Sequence, residues 1–205
     1  MFKAQGAARL SAPDIGQLVY RSPGLQLIFE RISSGDKVNI LDLGPPLSSN
    51  VEFFSSYHCR LYIADLLQSL SLVDTYWAES PAFSPMFPEL LDFDESEQFD
   101  IILGWDIVNY LSEDSIRRFS RFIARHTKAD ALCFFSLLTH KEMAVQPAIH
   151  RILEEGSLHC EQHDCGSCAS PRFTQSRLLE LMKEFQAHRS FLLQNGRQEQ
   201  VLRIR

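Results

Sequence analysis

The 205-residue sequence predicts one α/β domain: a mostly parallel seven-stranded sheet, finished by a C-terminal antiparallel hairpin and covered by helices on both faces. Three observations lead there. Short apolar runs without alternation, "VNILDLG", "RLYIADL" and "FDIILGW", recur with helix-like segments between them, as strands buried on both faces do. The first two carry an aspartate at their ends, Asp42 and Asp65. Near the C-terminus Asn195-Gly196 separates two extended runs, the strongest short-range hairpin signal a sequence offers.

The elements follow in order. "DIGQLVYRSPGLQLIFER" has helical apolar spacing interrupted by Pro23 and Gly24, which predicts two short helices within an N-terminal cap over 1–34. A core over 35–140 comes next. Its first strand, "VNILDLG", is followed by Ser49 and Glu52 at capping-box spacing, so a helix starts near Asn50. After the strand "RLYIADL", Pro81, Pro85 and Pro88 bar any long regular element, and "LLDFDE" reads as a short strand. "FDIILGWDIV" is a strand buried on both faces. Ser112 then caps a helix whose stripe is Ile116, Phe119, Phe122 and Ile123, and "ADALCFFSLL" is a fifth strand. In a variable insertion over 141–172, "THKEMAVQPAIHRILEEG" reads as a helix interrupted at Pro147 and stopped at Gly156, and "SLHCEQHDCGSCASPRF" as irregular chain. Residues 173–205 hold the last helix, with Leu178, Leu181, Met182 and Phe185 inward, and the hairpin.

Composition narrows the function. With 45% hydrophobic residues the chain supports a full core, and 20 basic against 26 acidic side chains give a charge of −6, which weighs against a nucleic-acid partner. The longest apolar run, "ALCFFSLL", falls well short of the ~20 residues that span a bilayer, so no membrane span is expected. The opening "MFKAQGAARLSAPDIG" lacks the apolar centre of a secretory signal. The five cysteines are therefore read as reduced and the location as cytoplasmic.

Ligands of open α/β sheets sit beyond the carboxyl ends of the strands, where the strand order reverses. There Asp42 would face the crevice and accept hydrogen bonds from an ammonium group or a water. Gly44 would let the backbone approach a ligand closely. The helix near Asn50 would aim its free N–H groups at a carboxylate. Asp65, about 20 residues after Asp42, suits ribose hydroxyls. Acids at strand ends also serve simply as helix caps, and Trp105 is read equally well as a core residue.

The motifs "ILDLGPPLSSN", "LYIADL" and "FDIILGWDIVNYL", at these separations, resemble the class I S-adenosylmethionine-dependent methyltransferases. The likeness rests on motifs over residues ~35 to 140 and on element order beyond them. The resemblance implies a Rossmann-like domain with S-adenosylmethionine as cofactor and S-adenosylhomocysteine as product. It implies methyl transfer to a small-molecule or lipid-like acceptor. It places Asp42, Gly44 and Asp65 at the cofactor, Asp92 and Phe93 near the adenine, and Trp105 and Asp106 beside the methionine part and the acceptor. Tyr110 lies one helical turn onward.

The family loop is rich in glycine, whereas here Pro45 and Pro46 follow Gly44 and remove two N–H donors. Pro45, Ser48 and Asn50 are then the loop residues expected at the cofactor, with Ser49 also offering a hydroxyl. His140 and Tyr110 are the weak catalytic candidates, with His159 a further base, and Tyr20 and Arg21 could close over the crevice. That loop leaves a second reading open, a catalytically inactive binding or regulatory subunit with a protein partner. A third is a zinc- or redox-dependent sensor, because Cys160, His163, Cys165 and Cys168 lie within one segment at spacings that suit a metal. Cys59 and Cys133 read as small core residues.

Overall fold

Successive residues of the central strands face opposite layers, and two helical layers take up the two sets. A computed structural model describes residues 17–69, 87–91, 93–162 and 166–205. Strands β2 (Val38–Asp42), β3 (Cys59–Ile63), β4 (Phe99–Trp105), β5 (Thr127–Leu138), β10 (Phe185–Leu192) and β11 (Arg197–Ile204) form one sheet in the order β10-β11-β5-β4-β2-β3. β3, β2, β4 and β5 pair in parallel, and β11 is antiparallel to both neighbours. The sheet therefore has six strands among the described residues, where the sequence predicts seven.

Ile40, Ile101, Leu103, Phe134 and Val201 pack under α1 (Pro23–Ile32) and α2 (Ser48–Ser55). Their neighbours Leu41, Ile102, Cys133, Phe135 and Leu202 pack on the other face. That face meets Phe87 of a helical turn α3 (Phe87–Leu90), then α4 (Glu113–Arg125) and α5 (Gln175–Leu181). The period-two alternation within each strand is what two covered faces require. Ser112 and Thr174 cap α4 and α5 through their hydroxyls. At the hairpin, Gly196 takes φ +75°, which a tight turn demands.

The N-terminal cap differs from the expected pair of helices. Gln17–Arg21 is a strand, β1, and Pro23 opens α1 instead of breaking it, because a first-turn N–H is unpaired in any helix and proline lacks one. The segment read as helix and irregular chain is also mostly strand: β6 (Glu142–Ala144), β7 (Ile149–Glu154), β8 (Ser157–Glu161) and β9 (Ser167–Ala169). β1, β8 and β7 form a separate antiparallel sheet, and β6 pairs with β9. Gly156, at φ +73°, turns the β7–β8 hairpin where the sequence suggested a helix stop. No helix among the described residues is long and apolar enough to cross a membrane.

Candidate functional site

The sheet reverses its order at β2. The chain leaves β2 through α2 to β3 on one side, then returns to β4 on the other. A crevice at the carboxyl ends of β2 and β4 follows from that reversal. A cavity of about 940 Å³ opens there, within the size range of small-molecule sites. Its lining includes Asp42, Gly44, Pro45, Asn50, Asp65, Trp105, Asp106 and Tyr110, eight residues that the sequence marks out.

Asp42 ends β2 and is buried. Its Oδ1 accepts hydrogen bonds from Trp105 Nε1 at 2.6 Å and from the Gly44 N–H at 2.9 Å. Burial pushes its carboxyl up to about 6, against the lowering by those two hydrogen bonds. Trp105 ends β4 at φ +48°, a left-handed conformation that a bulky residue rarely adopts, and one that concentrates at functional sites. The indole stacks on His150 at 5.2 Å and 12°, and meets Phe134 edge-on at 5.9 Å. Gly44 is needed for this contact, since a β-carbon there would lie 2.9 Å from both Cδ1 and Nε1 of the indole. The close approach that the glycine permits is thus to Trp105.

Asp65 follows β3 and lies half-buried on the cavity wall. Its Oδ1 accepts the Gln68 N–H at 3.0 Å, a capping contact, and Oδ2 takes no hydrogen bond from the described residues. α2 begins at Ser48, two residues before the expected start. Its N-cap is Leu47, which offers no side-chain acceptor to the first-turn N–H groups. Asn50 is spent on structure: Nδ2 donates to the His150 carbonyl and Oδ1 accepts the Ile152 N–H, tying α2 to the edge of β7.

The opposite wall is the loop before β7, residues 145 to 148, with Tyr110 and Asp106. The Tyr110 hydroxyl shares its proton between the carbonyls of Ala144 and Gln146, at 3.2 and 3.0 Å, and so holds that loop over the cavity. Asp106 Oδ2 accepts the Ala148 N–H at 3.4 Å and lies 3.9 Å from Arg197 Nη1. Buried Arg197 also donates to Cys160 Sγ at 3.1 Å and Ser136 Oγ at 3.4 Å. Asn109 braces the same turn, donating to the Asp106 and Ser136 carbonyls and accepting the Leu138 N–H. Burial draws the His150 imidazole down to about 4 and raises the Cys160 thiol, so both are held neutral.

Several sequence candidates lie elsewhere. Phe93 packs on Phe99, Phe122 and His126 beneath the sheet, and Ser48 is absent from the cavity lining. Asp92 lies outside the described residues. His140 sits on the Asn195-Gly196 turn, and His159 lies in β8 opposite Val19 and Arg151. Arg21 pairs with Glu154 at an exposed position, and Tyr20 places its hydroxyl, without a hydrogen-bond partner among the described residues, near the Arg197 cluster. Cys160 and Cys168 belong to different small sheets, and the guanidinium on Cys160 Sγ would repel a cation. His163 and Cys165 lie outside the described residues. Among the described residues no group of three or more His, Cys, Asp or Glu could hold a metal.

His150, Asn109 and Arg197 escape sequence reasoning. For His150 a signal exists: in "IHRIL" only His150 and Ile152 face inward, a period of two.

No protein-family model matches the chain, and no curated protein sequence does. Solved structures do match. The glycopeptide N-methyltransferase MtfA, complexed with S-adenosylmethionine, aligns with a TM-score of 0.52 at 13% identity over 98% of this chain and 100% of its own. The PH0226 protein from Pyrococcus horikoshii OT3 aligns at 0.55 and 11%, over 89% and 88%. The 1,6-didemethyltoxoflavin-N1-methyltransferase of Burkholderia thailandensis, with its namesake ligand and S-adenosylhomocysteine bound, aligns at 0.53 and 17%, over 89% and 76%. At these identities the likeness is one of fold.

Proposed function

We infer that this chain, which has the fold of the class I S-adenosylmethionine-dependent methyltransferases, binds an S-adenosyl compound in the β2–β4 cavity and transfers its methyl group to a small acceptor. The observation that carries the inference is the convergence of Asp42 and Asp65, from adjacent strands, on one cavity at the strand-order reversal. The similar structures with S-adenosylmethionine or S-adenosylhomocysteine bound support the ligand class. The residues present fit such a group in part. Asp65 Oδ2 can accept ribose hydroxyls, and the uncapped start of α2 offers N–H donors, while on Asp42 one oxygen, Oδ1, is already engaged by Trp105 and Gly44 and Oδ2 has no donor among the described residues.

S-adenosylmethionine, when bound, supplies a methyl group already activated on a sulfonium, so the protein's work is to position the acceptor. Tyr110 holds the 145–148 loop as a wall that excludes water. Asp106, on that wall, is placed to accept a hydrogen bond from an acceptor's N–H or O–H. Small-molecule acceptors suit this space better than lipid-like ones, since the cavity is bounded by polar groups at both ends. The same reading puts the protein in the cytoplasm, with its cysteines as thiols.

The second reading, a binding subunit without turnover, draws on the Trp105–Asp42 bond and the Pro45-Pro46 turn, which both weaken the hold on a cofactor tail. Calorimetry with S-adenosylmethionine tests the first reading. Heat that falls by about tenfold in affinity for Asp65→Asn supports it, a loss of the size expected for one hydrogen bond to a charged group. No heat at millimolar ligand, with the protein folded, contradicts it. Binding without methyl transfer to any amine or hydroxyl acceptor would favour the second.

A further inference from the structure

Three acidic side chains line the cavity from three neighbouring strands: Asp42 ends β2, Asp65 follows β3 and Asp106 follows β4. Each accepts hydrogen bonds on one oxygen only. Asp42 Oδ1 takes the Trp105 and Gly44 N–H groups, Asp65 Oδ1 takes that of Gln68, and Asp106 Oδ2 takes that of Ala148. The other oxygens, Oδ2 of Asp42 and Asp65 and Oδ1 of Asp106, have no donor among the described residues. Asp42 and Asp106 are each only 2% exposed, so water satisfies these open oxygens poorly. Among the described residues no lysine or arginine stands in the lining, and burial holds its histidine, His150, neutral. Arg197, buried and outside the lining, lies 3.9 Å from Asp106 Oδ2 and leaves Oδ1 unclaimed.

We propose that the acceptor methylated in this cavity is an amine, held as its ammonium by Asp106 Oδ1, and that carboxylate and phosphate acceptors are excluded. The inference rests on the S-adenosyl reading above and names its acceptor class. An S-adenosyl ligand carries donors for two of the three open oxygens: ribose hydroxyls for Asp65 and an α-ammonium for Asp42. Asp106 is left for the acceptor. An ammonium brings that carboxylate a hydrogen bond and the opposite charge, and a hydroxyl brings the hydrogen bond alone. An anion brings neither, and it meets like charges at three points with no cation in the lining to offset them. The chemistry points the same way. An alcohol must shed its proton as its oxygen attacks, and His150, drawn down to about 4 and stacked on Trp105, is a poor base. An ammonium that has given one proton to water exposes a lone pair. That pair forms the N–C bond while the S–C pair returns to sulfur, leaving a neutral thioether and the positive charge on the methylated nitrogen.

Benzylamine, benzyl alcohol and benzoate share a ring and differ in the charge of a small head group. Each is titrated by ligand-observed NMR into the wild-type protein and Asp106→Asn, both saturated with S-adenosylhomocysteine so that Asp42 and Asp65 are taken. The wild-type protein should bind benzylamine about tenfold more tightly than benzyl alcohol, with benzoate weakest, the effect of one charge-assisted hydrogen bond. D106N should lose that tenfold while its affinities for benzyl alcohol and S-adenosylhomocysteine stay within about threefold of wild type, whereas a merely structural role for Asp106 would move all of them together. Benzoate bound as tightly as benzylamine overturns the proposal and leaves the S-adenosyl reading intact. So does a folded D106N variant that keeps the amine preference, or no binding of benzylamine at about 20 mM. The wild-type order alone decides should D106N fail to fold. Failure of S-adenosylhomocysteine itself to bind overturns the proposal together with the reading it rests on.

Discussion

Trp105 joins two buried groups that titrate against their usual ranges. Asp42, raised from 3.8 to about 6, is protonated in the folded protein over a range where it is ionised in the unfolded chain. Its contribution to stability is complete below about pH 4 and is lost as pH rises to about 6. His150, lowered from 6.5 to about 4, is neutral in the fold where the unfolded chain is charged, so its contribution is complete above about pH 6.5 and is lost as pH falls. Between about pH 4 and 6 the two slopes, each about 1.4 kcal/mol per pH unit, oppose one another. Denaturant titrations at a series of pH values should therefore be nearly flat over that window from this pair. Asp42→Asn should show stability rising with pH and His150→Gln stability falling with pH. Equal slopes in both variants would contradict this. Above about pH 7, D42N should be more stable than the wild type by roughly 1–3 kcal/mol, because the amide keeps the acceptor oxygen without the buried charge. Gly44→Ala tests the close approach of the indole. It should cost about 1–3 kcal/mol by overpacking and shift Trp105 emission to the red in a Trp77→Phe background, and an unshifted spectrum would count against the contact.

The edge strand β7 is tied to α2 by two hydrogen bonds from one side chain, Asn50. Asn50→Ala leaves a buried carbonyl and a buried N–H unpaired, at a cost of about 1–3 kcal/mol. Hydrogen exchange should speed up at the Ile152 amide more than in β4, whose neighbours are unchanged; uniform acceleration would show that the pair does not act locally. The strands of the central sheet were legible because burial on both faces leaves unbroken runs such as "FDIILGW". The final hairpin was legible through Asn195-Gly196, and Ser112 stands where a cap belongs. The cap sheet was not. Its inward positions are Tyr20, His150 and Cys160 alongside Ile152 and Leu158, so its alternation is written partly in polar residues that a hydrophobicity pattern passes over. Proline at the first position of α1 was read as an interruption because only the flanking strand shows which side of it the helix lies on.

Across the molecule, Arg197 is the meeting point of the two sheets: from β11 it reaches Ser136 of β5, Cys160 of β8 and Asp106 after β4. Arg197→Met should lower stability by about 3 kcal/mol in urea, since it leaves Asp106 without its counter-charge, and an unchanged midpoint would show that the cluster does not couple the sheets. Asp42 and Asp65 could be placed at one crevice from the sequence because strand ends and strand-order reversal follow from the βα order. The engagement of Asp42 by Trp105 could not, since it depends on a left-handed turn and on ring packing between segments 63 residues apart. Whether these strand ends form an adenosyl site is decided by a structure of the protein with S-adenosylhomocysteine. The nucleoside should lie in the β2–β4 cavity with its ribose hydroxyls on the Asp65 carboxylate. Ligand bound elsewhere, or an empty cavity at saturating ligand, would contradict it.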